Sequence, residues 1–233
     1  MMTERPSIQP VELLKAISSN LYKYLLGRFL GMGLQINSFA FPEGYIPVPT
    51  PARHYIDTFL NEFDSTVRGR VVEFMPPFYQ ERYIGRSEIT SYDVWDIVPS
   101  AAATIVADLQ SAPEVSERSF DTILCTHVLC NVQYPWLAAR EIHRMLDTGG
   151  LVLCTVPMVL QGYAPHPGDY YRFTRDSLQT LFEGFSKVEY RSYGNSATAS
   201  GSPQYLMRNH FSSKVLNYHD PNCPSIVAVA AWK

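Results

Sequence analysis

Apolar side chains recur at helical spacing in two stretches near the start of the chain. Residues 11–31 and residues 53–65 each place them three or four positions apart, which puts them on one side of a helix. Residues 38–52, between these stretches, contain four prolines and little periodicity, which is typical of a connecting loop. We therefore predict an N-terminal helical extension over residues 1–52 and a main domain over residues 53–233.

Short apolar runs alternate with helical patterns in the rest of the chain. The runs predicted as strands are 70–74, 88–97, 103–109, 120–128, 151–157, 187–194 and 225–233. The patterns predicted as helices are 135–147, which Gly149 and Gly150 are expected to end, and 176–185, which Gly184 is expected to end. Strands that alternate with helices are typical of an α/β fold with a mostly parallel sheet, covered by helices on both faces. Ligands of such sheets bind outside the carboxyl ends of the strands.

The composition excludes several classes of protein. With 46% hydrophobic and 18% charged residues the chain is globular, and a net charge of −3 favours neither nucleic acid nor an anionic membrane as a partner. The N-terminus lacks the pattern of a secretory leader, and the apolar stretch 21–41 is interrupted by polar residues, so we expect a cytoplasmic protein. The four cysteines lie mostly in apolar runs and are predicted to be free core thiols.

The predicted helix at 11–31 has several interpretations. Four roles are compatible with it: packing against the main domain, a lid over that domain, the interface of a homodimer, and contact with a membrane surface. Its polar face is not strongly basic, which favours packing or a lid over a membrane contact.

Two segments carry a family resemblance. The segment SFDTILCTHVLCNVQYPWLAAREIHRMLDTGGLVLCTVP (119–157) combines a strand, a V-L turn, a helix ending near E-I-x-R-x-L, a T-G-G corner and an apolar strand. The segment HPGDYYRFTRDSLQTLFEGF (166–185) contains the pattern H-P-x-D-Y-x-R-F-T. In both segments the chain resembles the class I methyltransferases. The resemblance implies a Rossmann-like, doubly wound sheet of seven strands with an antiparallel C-terminal strand, and S-adenosylmethionine as the cofactor.

The resemblance also implies which residues contact the nucleoside part of that cofactor. An acidic residue at the end of the second strand accepts hydrogen bonds from the two ribose hydroxyls, and we prefer Asp96, followed by Ile97, to Asp93. Asp108 and Leu109 match the pair that contacts adenine in the family. A helix-cap role for Asp108 is an equally good interpretation.

Further positions match the rest of the cofactor site. Glu73 ends the first strand, where the family places an acidic residue near the amino-acid tail, and Met75 lies in the loop that follows. Cys125 and Thr126 end the fourth strand, where the family contacts the sulfonium side through backbone carbonyls. His127 follows them and is either a catalytic base or a hydrogen-bonded structural histidine.

The segment after the fifth strand supplies the candidates for catalysis and acceptor binding. His166 is a candidate base at neutral pH, and Asp169 is a candidate for orienting it or for binding an acceptor hydroxyl. Tyr163, Tyr170 and Arg172 are candidates for contacts with the acceptor. The alternative is a turn built on the Pro-Gly pair, whose tyrosines pack and whose arginine ties the loop down.

The loop after the first strand departs from the family pattern. The family has E-x-G-x-G, whereas this chain has Glu73-Phe-Met-Pro-Pro, so both glycines are absent. Glycine allows a close backbone approach, while proline fixes φ and removes an N–H group. Three hypotheses follow: a rearranged loop that still binds the cofactor, a cofactor bound for a purpose other than methylation, and a lost site in a module that binds a metabolite or partner protein. We favour the first, with O- or N-methylation of a small molecule such as a sugar or secondary metabolite.

Overall fold

The computed structural model describes residues 50–160, 168–204 and 206–233, all of which belong to one compact unit, Pro47–Lys233. The predicted helix at 11–31, and with it the predicted homodimer interface, lies outside the described residues. Within the described residues, no helix combines the length and apolar character needed to cross a bilayer.

The first described helix, α1, covers Pro51–Glu62. Thr50 caps it by accepting a hydrogen bond from the backbone N–H of Arg53 at 3.1 Å, and Pro51 supplies the fixed φ suited to a first turn. The helix therefore begins two residues earlier than predicted, inside the stretch expected to be a loop. Its apolar side, which includes Tyr55 and Phe59, is buried as the spacing predicted.

The sheet has seven strands. They are β1 Gly69–Phe74, β2 Ile89–Asp96, β3 Ile105–Val106, β4 Phe120–Thr126, β5 Leu146–Pro157, β6 Lys187–Tyr193 and β7 Ile226–Trp232. Their order across the sheet is β3-β2-β1-β4-β5-β7-β6. The first five strands in this order are parallel to one another, and β7 pairs antiparallel with both β5 and β6. The predicted fold class is confirmed.

Two apolar layers cover the faces of this sheet. The longer helices besides α1 are α3 Pro135–Met145 and α4 Arg175–Leu181, and the shorter ones are α2 Gln80–Tyr83, α5 Ser196–Gly201 and α6 Ser213–Leu216. Adjacent strand residues point to opposite faces, so Val71 packs in the layer that contains α1 whereas Val72 packs in the layer that contains α3 and α4. Cys125 and Cys154 are fully buried in the latter layer, Cys130 is 1% exposed there, and Cys223 lies half-buried elsewhere.

Several predicted boundaries are wrong. Helix α3 ends at Met145, two residues before the predicted end at 147, because the chain passes directly into β5 and Gly149 and Gly150 lie inside that strand. Helix α4 ends at Leu181, three residues before Gly184. The start of α4 is fixed by Thr174, whose hydroxyl accepts from the backbone N–H of Ser177.

A pair of glycines with similar backbone angles allows a controlled test of packing at the amino end of the sheet. Gly69 has φ +71° and Gly149 has φ +74°, but a Cβ at residue 69 would lie 2.6 Å from Cβ and Cγ of Asp121, whereas one at residue 149 would meet nothing within 4 Å. Gly149→Ala is expected to lower the free energy of unfolding by about 1–2 kcal/mol, the cost of a left-handed backbone. Gly69→Ala is expected to cost about 1–3 kcal/mol more, because Asp121 must move. Urea unfolding measures both, and equal losses would contradict the packing argument.

Candidate functional site

A cavity of about 320 Å³ opens at the carboxyl ends of β1, β2 and β4. In the sheet order β1 separates β2 from β4, so this edge is where the chain reverses direction across the sheet. The residues predicted to contact a cofactor or to act in catalysis that line this cavity are Met75, Asp96, Ile97, Asp108, Leu109, Thr126 and His127. The sheet therefore brings seven of the predicted site residues into one space.

The loop after β1 is closed by its own hydrogen bonds. The backbone N–H of Met75 donates to the carbonyl of Trp95 at 2.8 Å, and that of Phe78 donates to the carbonyl of Pro76 at 2.8 Å. The N–H of Tyr79 donates to both carboxylate oxygens of Glu73, at 2.9 and 3.2 Å. The loop forms one wall of the cavity without filling it.

Glu73 lies beneath this loop rather than in the cavity. Its side chain is fully buried, and the Tyr92 hydroxyl donates to its Oε2 at 2.5 Å in addition to the bond from Tyr79. Burial raises the pKa of this carboxyl, while the hydrogen bonds and the charge of Arg53 act in the opposite direction. The prediction that Glu73 contacts a cofactor is therefore revised, because its carboxyl group holds the loop. Cys125 is likewise fully buried in the core and does not line the cavity.

The carboxylate of Asp96 is available at the end of β2. Its Oδ1 accepts hydrogen bonds from the backbone N–H groups of Ile97 at 2.7 Å and Val98 at 3.3 Å, which fixes the side chain at the edge of the cavity. Its Oδ2 accepts no hydrogen bond from the described residues. Asp93 instead accepts from the Thr104 hydroxyl at 2.8 Å and does not line the cavity.

Asp108 caps a turn rather than a helix, so the predicted helix-cap role is wrong. It lies in a turn, where its Oδ1 accepts from the backbone N–H of Gln110 at 2.9 Å, and the Gln110 side-chain amide donates to both carboxylate oxygens. The Gln110 amide oxygen accepts in turn from the Tyr134 N–H at 2.9 Å. Asp108 is exposed at the rim of the cavity, so a ligand that binds it shares the carboxylate with Gln110.

His127 follows β4 in a left-handed backbone conformation, with φ 55°, and its N–H donates to the carbonyl of Thr155 at 2.7 Å. Its Nε2 is buried and has no hydrogen-bond partner among the described residues. Burial, followed by the positive charges of Arg53 and Arg172, lowers the pKa of His127 to about 3. The imidazole is therefore neutral at physiological pH and is a weak base, which argues against its predicted role as the catalytic base.

Comparisons with known proteins agree with this geometry. Residues 79–154 match the model of a family described as a methyltransferase domain. A thiol S-methyltransferase, TMT1B of Rattus norvegicus, is 30% identical over 99 residues, which are 36% of this chain and 41% of that protein. The chain thus spans less than half of the length of that relative.

Two solved structures share the fold over most of the chain. A SAM-dependent methyltransferase from Archaeoglobus fulgidus has a TM-score of 0.51 and 13% identity, covering 78% of this chain and 94% of its own. An S-adenosylmethionine-dependent methyltransferase from Mesorhizobium loti has a TM-score of 0.51 and 18% identity, covering 79% and 98%. The chain therefore has the fold of the S-adenosylmethionine-dependent methyltransferases, and residues 79–154 match a methyltransferase domain.

The segment predicted to bind the acceptor is only partly described. Tyr163 and His166 lie outside the described residues. Asp169 and Arg172 form a bidentate ion pair, with nitrogen–oxygen distances of 2.5 and 2.9 Å, and neither lines the cavity. Tyr170 is 46% exposed, and its N–H donates to the carbonyl of Cys130. In the described part of the segment, the ion pair with Asp169 therefore ties Arg172 to the loop.

One residue that lines the cavity was not among the predicted site residues. Arg53 lines the cavity although it belongs to α1, ahead of the first strand, where a surface role is the commoner outcome. Gln110, Asn131 and Val132 also line the cavity and were not predicted. These residues meet only through the sheet topology, so no local sequence pattern identifies them.

Proposed function

We propose that this chain is a methyltransferase, which binds S-adenosylmethionine in the cavity at the carboxyl ends of β1, β2 and β4 and methylates a small-molecule acceptor. The observation that carries the proposal is Asp96, which is fixed through Oδ1 and leaves Oδ2 without a partner among the described residues, at the edge of a cavity of about 320 Å³. Ligand cavities in proteins have volumes of about 300–1,000 Å³, so a ligand of nucleoside size is compatible with it.

The chemistry of the lining residues fits the parts of the cofactor. Asp96 offers an acceptor to a ribose diol, and the exposed carboxylate of Asp108 offers one to an exocyclic amine. Ile97, Leu109 and Val132 supply apolar surface for the faces of a purine ring. Prolines and methionine in the loop after β1 do not block the cavity, which favours the first of the three hypotheses about that loop.

The residues at the end of β4 suit the reacting end of the cofactor. When bound, S-adenosylmethionine supplies an electrophilic methyl group on a positively charged sulfur. A neutral imidazole at His127 adds no second positive charge beside that sulfur, and its buried Nε2 has no hydrogen-bond partner among the described residues. Thr126 and His127 are therefore assigned to the lining of the site rather than to proton transfer, and a base is required only for an acceptor that arrives protonated.

A thiol is the acceptor class that we put first. The similarity to a thiol S-methyltransferase supports it, and a thiol is acidic enough to react without a strong base, which suits the neutral His127. Hydroxyl and amine groups of sugars or secondary metabolites are the other classes to compare. We expect methyl transfer from labelled S-adenosylmethionine to be fastest to small thiols. Transfer to none of the three classes by a chain that binds the cofactor would support a non-catalytic module instead.

Calorimetry with S-adenosylhomocysteine tests cofactor binding. The wild-type chain is expected to bind, and Asp96→Asn is expected to weaken binding by about 10- to 100-fold, because a neutral amide replaces a charged acceptor. Asp93→Asn is the matched control, since Asp93 lies on the same strand but outside the cavity, and we expect it to bind as the wild type does. An absence of heat with the wild-type chain at millimolar ligand would refute the proposal.

A further inference from the structure

The loop after β1 offers no backbone donor to a ligand. Pro76 and Pro77 have no N–H group, and the N–H groups of Met75, Phe78 and Tyr79 donate within the protein, to Trp95, Pro76 and Glu73 respectively. An anionic group bound against this wall of the cavity therefore finds no amide to neutralise it. A buried carboxylate without donors is strongly unfavourable, so a side chain must provide them.

Arg53 is the one cationic side chain that lines the cavity in the described part of the chain. Its guanidinium carbon lies 3.7 Å from the centroid of the Phe78 ring, and its Nη1 donates to the Tyr79 hydroxyl at 2.8 Å. Phe78 and Tyr79 belong to the loop itself, so the loop holds the guanidinium in place. A guanidinium has five N–H donors and this arrangement uses one of them, which leaves others for a ligand.

We propose that Arg53 binds the α-carboxylate of the cofactor's amino-acid tail, in place of the loop N–H groups that the prolines and internal hydrogen bonds remove. This inference rests on the proposed function, because it concerns the same ligand. A guanidinium pairs with a carboxylate through two parallel hydrogen bonds, which suits the fixed orientation of Arg53. A side chain on α1, rather than the backbone of the loop, thus binds the tail. The Tyr79 hydroxyl and the Phe78 ring position that side chain.

The test compares two ligands that differ only in the carboxylate. The first is S-adenosylhomocysteine and the second is its decarboxylated analogue, 5′-(3-aminopropyl)thioadenosine. We expect calorimetry to show that the wild-type chain binds the first about 10- to 100-fold more tightly than the second. In Arg53→Gln this preference is expected to fall to within about threefold, through weaker binding of S-adenosylhomocysteine alone. Arg140→Gln, at an exposed position of α3 outside the cavity, is the control and is expected to keep the wild-type preference.

Each outcome decides the proposal. If Arg53→Gln keeps the wild-type preference, or weakens both ligands equally, Arg53 does not read the carboxylate and the inference is wrong, although cofactor binding by the wild-type chain still supports the proposed function. If the wild-type chain binds neither ligand, the proposed function itself fails. Arg53→Lys keeps the charge but not the paired donors, and we expect it to retain part of the preference. Circular dichroism of each variant establishes that it is folded.

Discussion

Glu73→Ala is expected to lower the free energy of unfolding by about 2–5 kcal/mol and to remove measurable binding of S-adenosylhomocysteine. The substitution leaves two donors, the buried Tyr79 N–H and the partly buried Tyr92 hydroxyl, without their acceptor, and each loss costs about 1–3 kcal/mol. It also releases the loop that carries Phe78 and Tyr79, and with it the contacts that hold Arg53. Urea unfolding measures the stability, and calorimetry measures the binding.

Glu73→Gln is the matched control for this prediction. Glutamine has nearly the same shape and keeps an acceptor oxygen for the two donors, so we expect it to lose less than half as much stability as the alanine variant. We also expect it to retain detectable cofactor binding. Equal losses in both variants would show that the negative charge, rather than the accepted hydrogen bonds, holds the loop.

The stability of the unliganded chain is expected to fall by about 2 kcal/mol from His127 alone when the pH is lowered from 7 to 5. The pKa of His127 is lowered to about 3 in the folded chain, so the unfolded state binds more protons at every pH between about 3 and 6.5. The stability that neutral His127 contributes is therefore fully present above pH 6.5 and is lost as the pH falls towards 3. Burial also lowers the pKa values of His54, His143 and His219, which act in the same direction.

His127→Asn isolates the part that this residue contributes. Asparagine tolerates the left-handed backbone at φ 55° and does not titrate, so we expect the variant to lose markedly less stability than the wild type between pH 7 and pH 5. His143→Gln, on α3 and outside the cavity, is the control and is expected to follow the wild-type curve more closely. Urea midpoints at four pH values are sufficient. Parallel curves for wild type and His127→Asn would show that His127 is not held neutral by burial.

The α/β class and its mostly parallel sheet followed from the sequence, because short buried runs alternate with helical patterns, and the resemblance to the class I methyltransferases implied the doubly wound arrangement. The errors lie where tertiary contacts override local signals. Gly149 and Gly150 resemble a helix stop, yet they lie in a strand because β5 pairs with β4 from Leu146 onwards. Thr50 and Pro51 resemble loop residues, yet they cap and start α1, which packs on the sheet.

The sequence predicted the cavity residues that lie at strand ends, but not those that reach the cavity from other elements. Asp96, Asp108 and Thr126 end or follow strands, and the carboxyl ends of parallel strands meet at one edge, so their convergence is a consequence of the fold. Arg53 reaches the same edge from a helix that precedes the sheet, and its position depends on a ring and a hydroxyl 25 or more residues further along the chain. The burial of Glu73 depends on Tyr92, a residue of the neighbouring strand. No local sequence pattern indicates either the position of Arg53 or the burial of Glu73.

The closed loop has a consequence for the thermodynamics of binding. Two consecutive prolines and three internal hydrogen bonds fix this wall before a ligand arrives, so association requires little ordering of the backbone there. A glycine-rich loop, in contrast, becomes ordered around its ligand and loses conformational entropy in doing so. We therefore expect the ligand to adapt its conformation to the wall formed by Met75, Pro76 and Phe78, rather than the wall to the ligand.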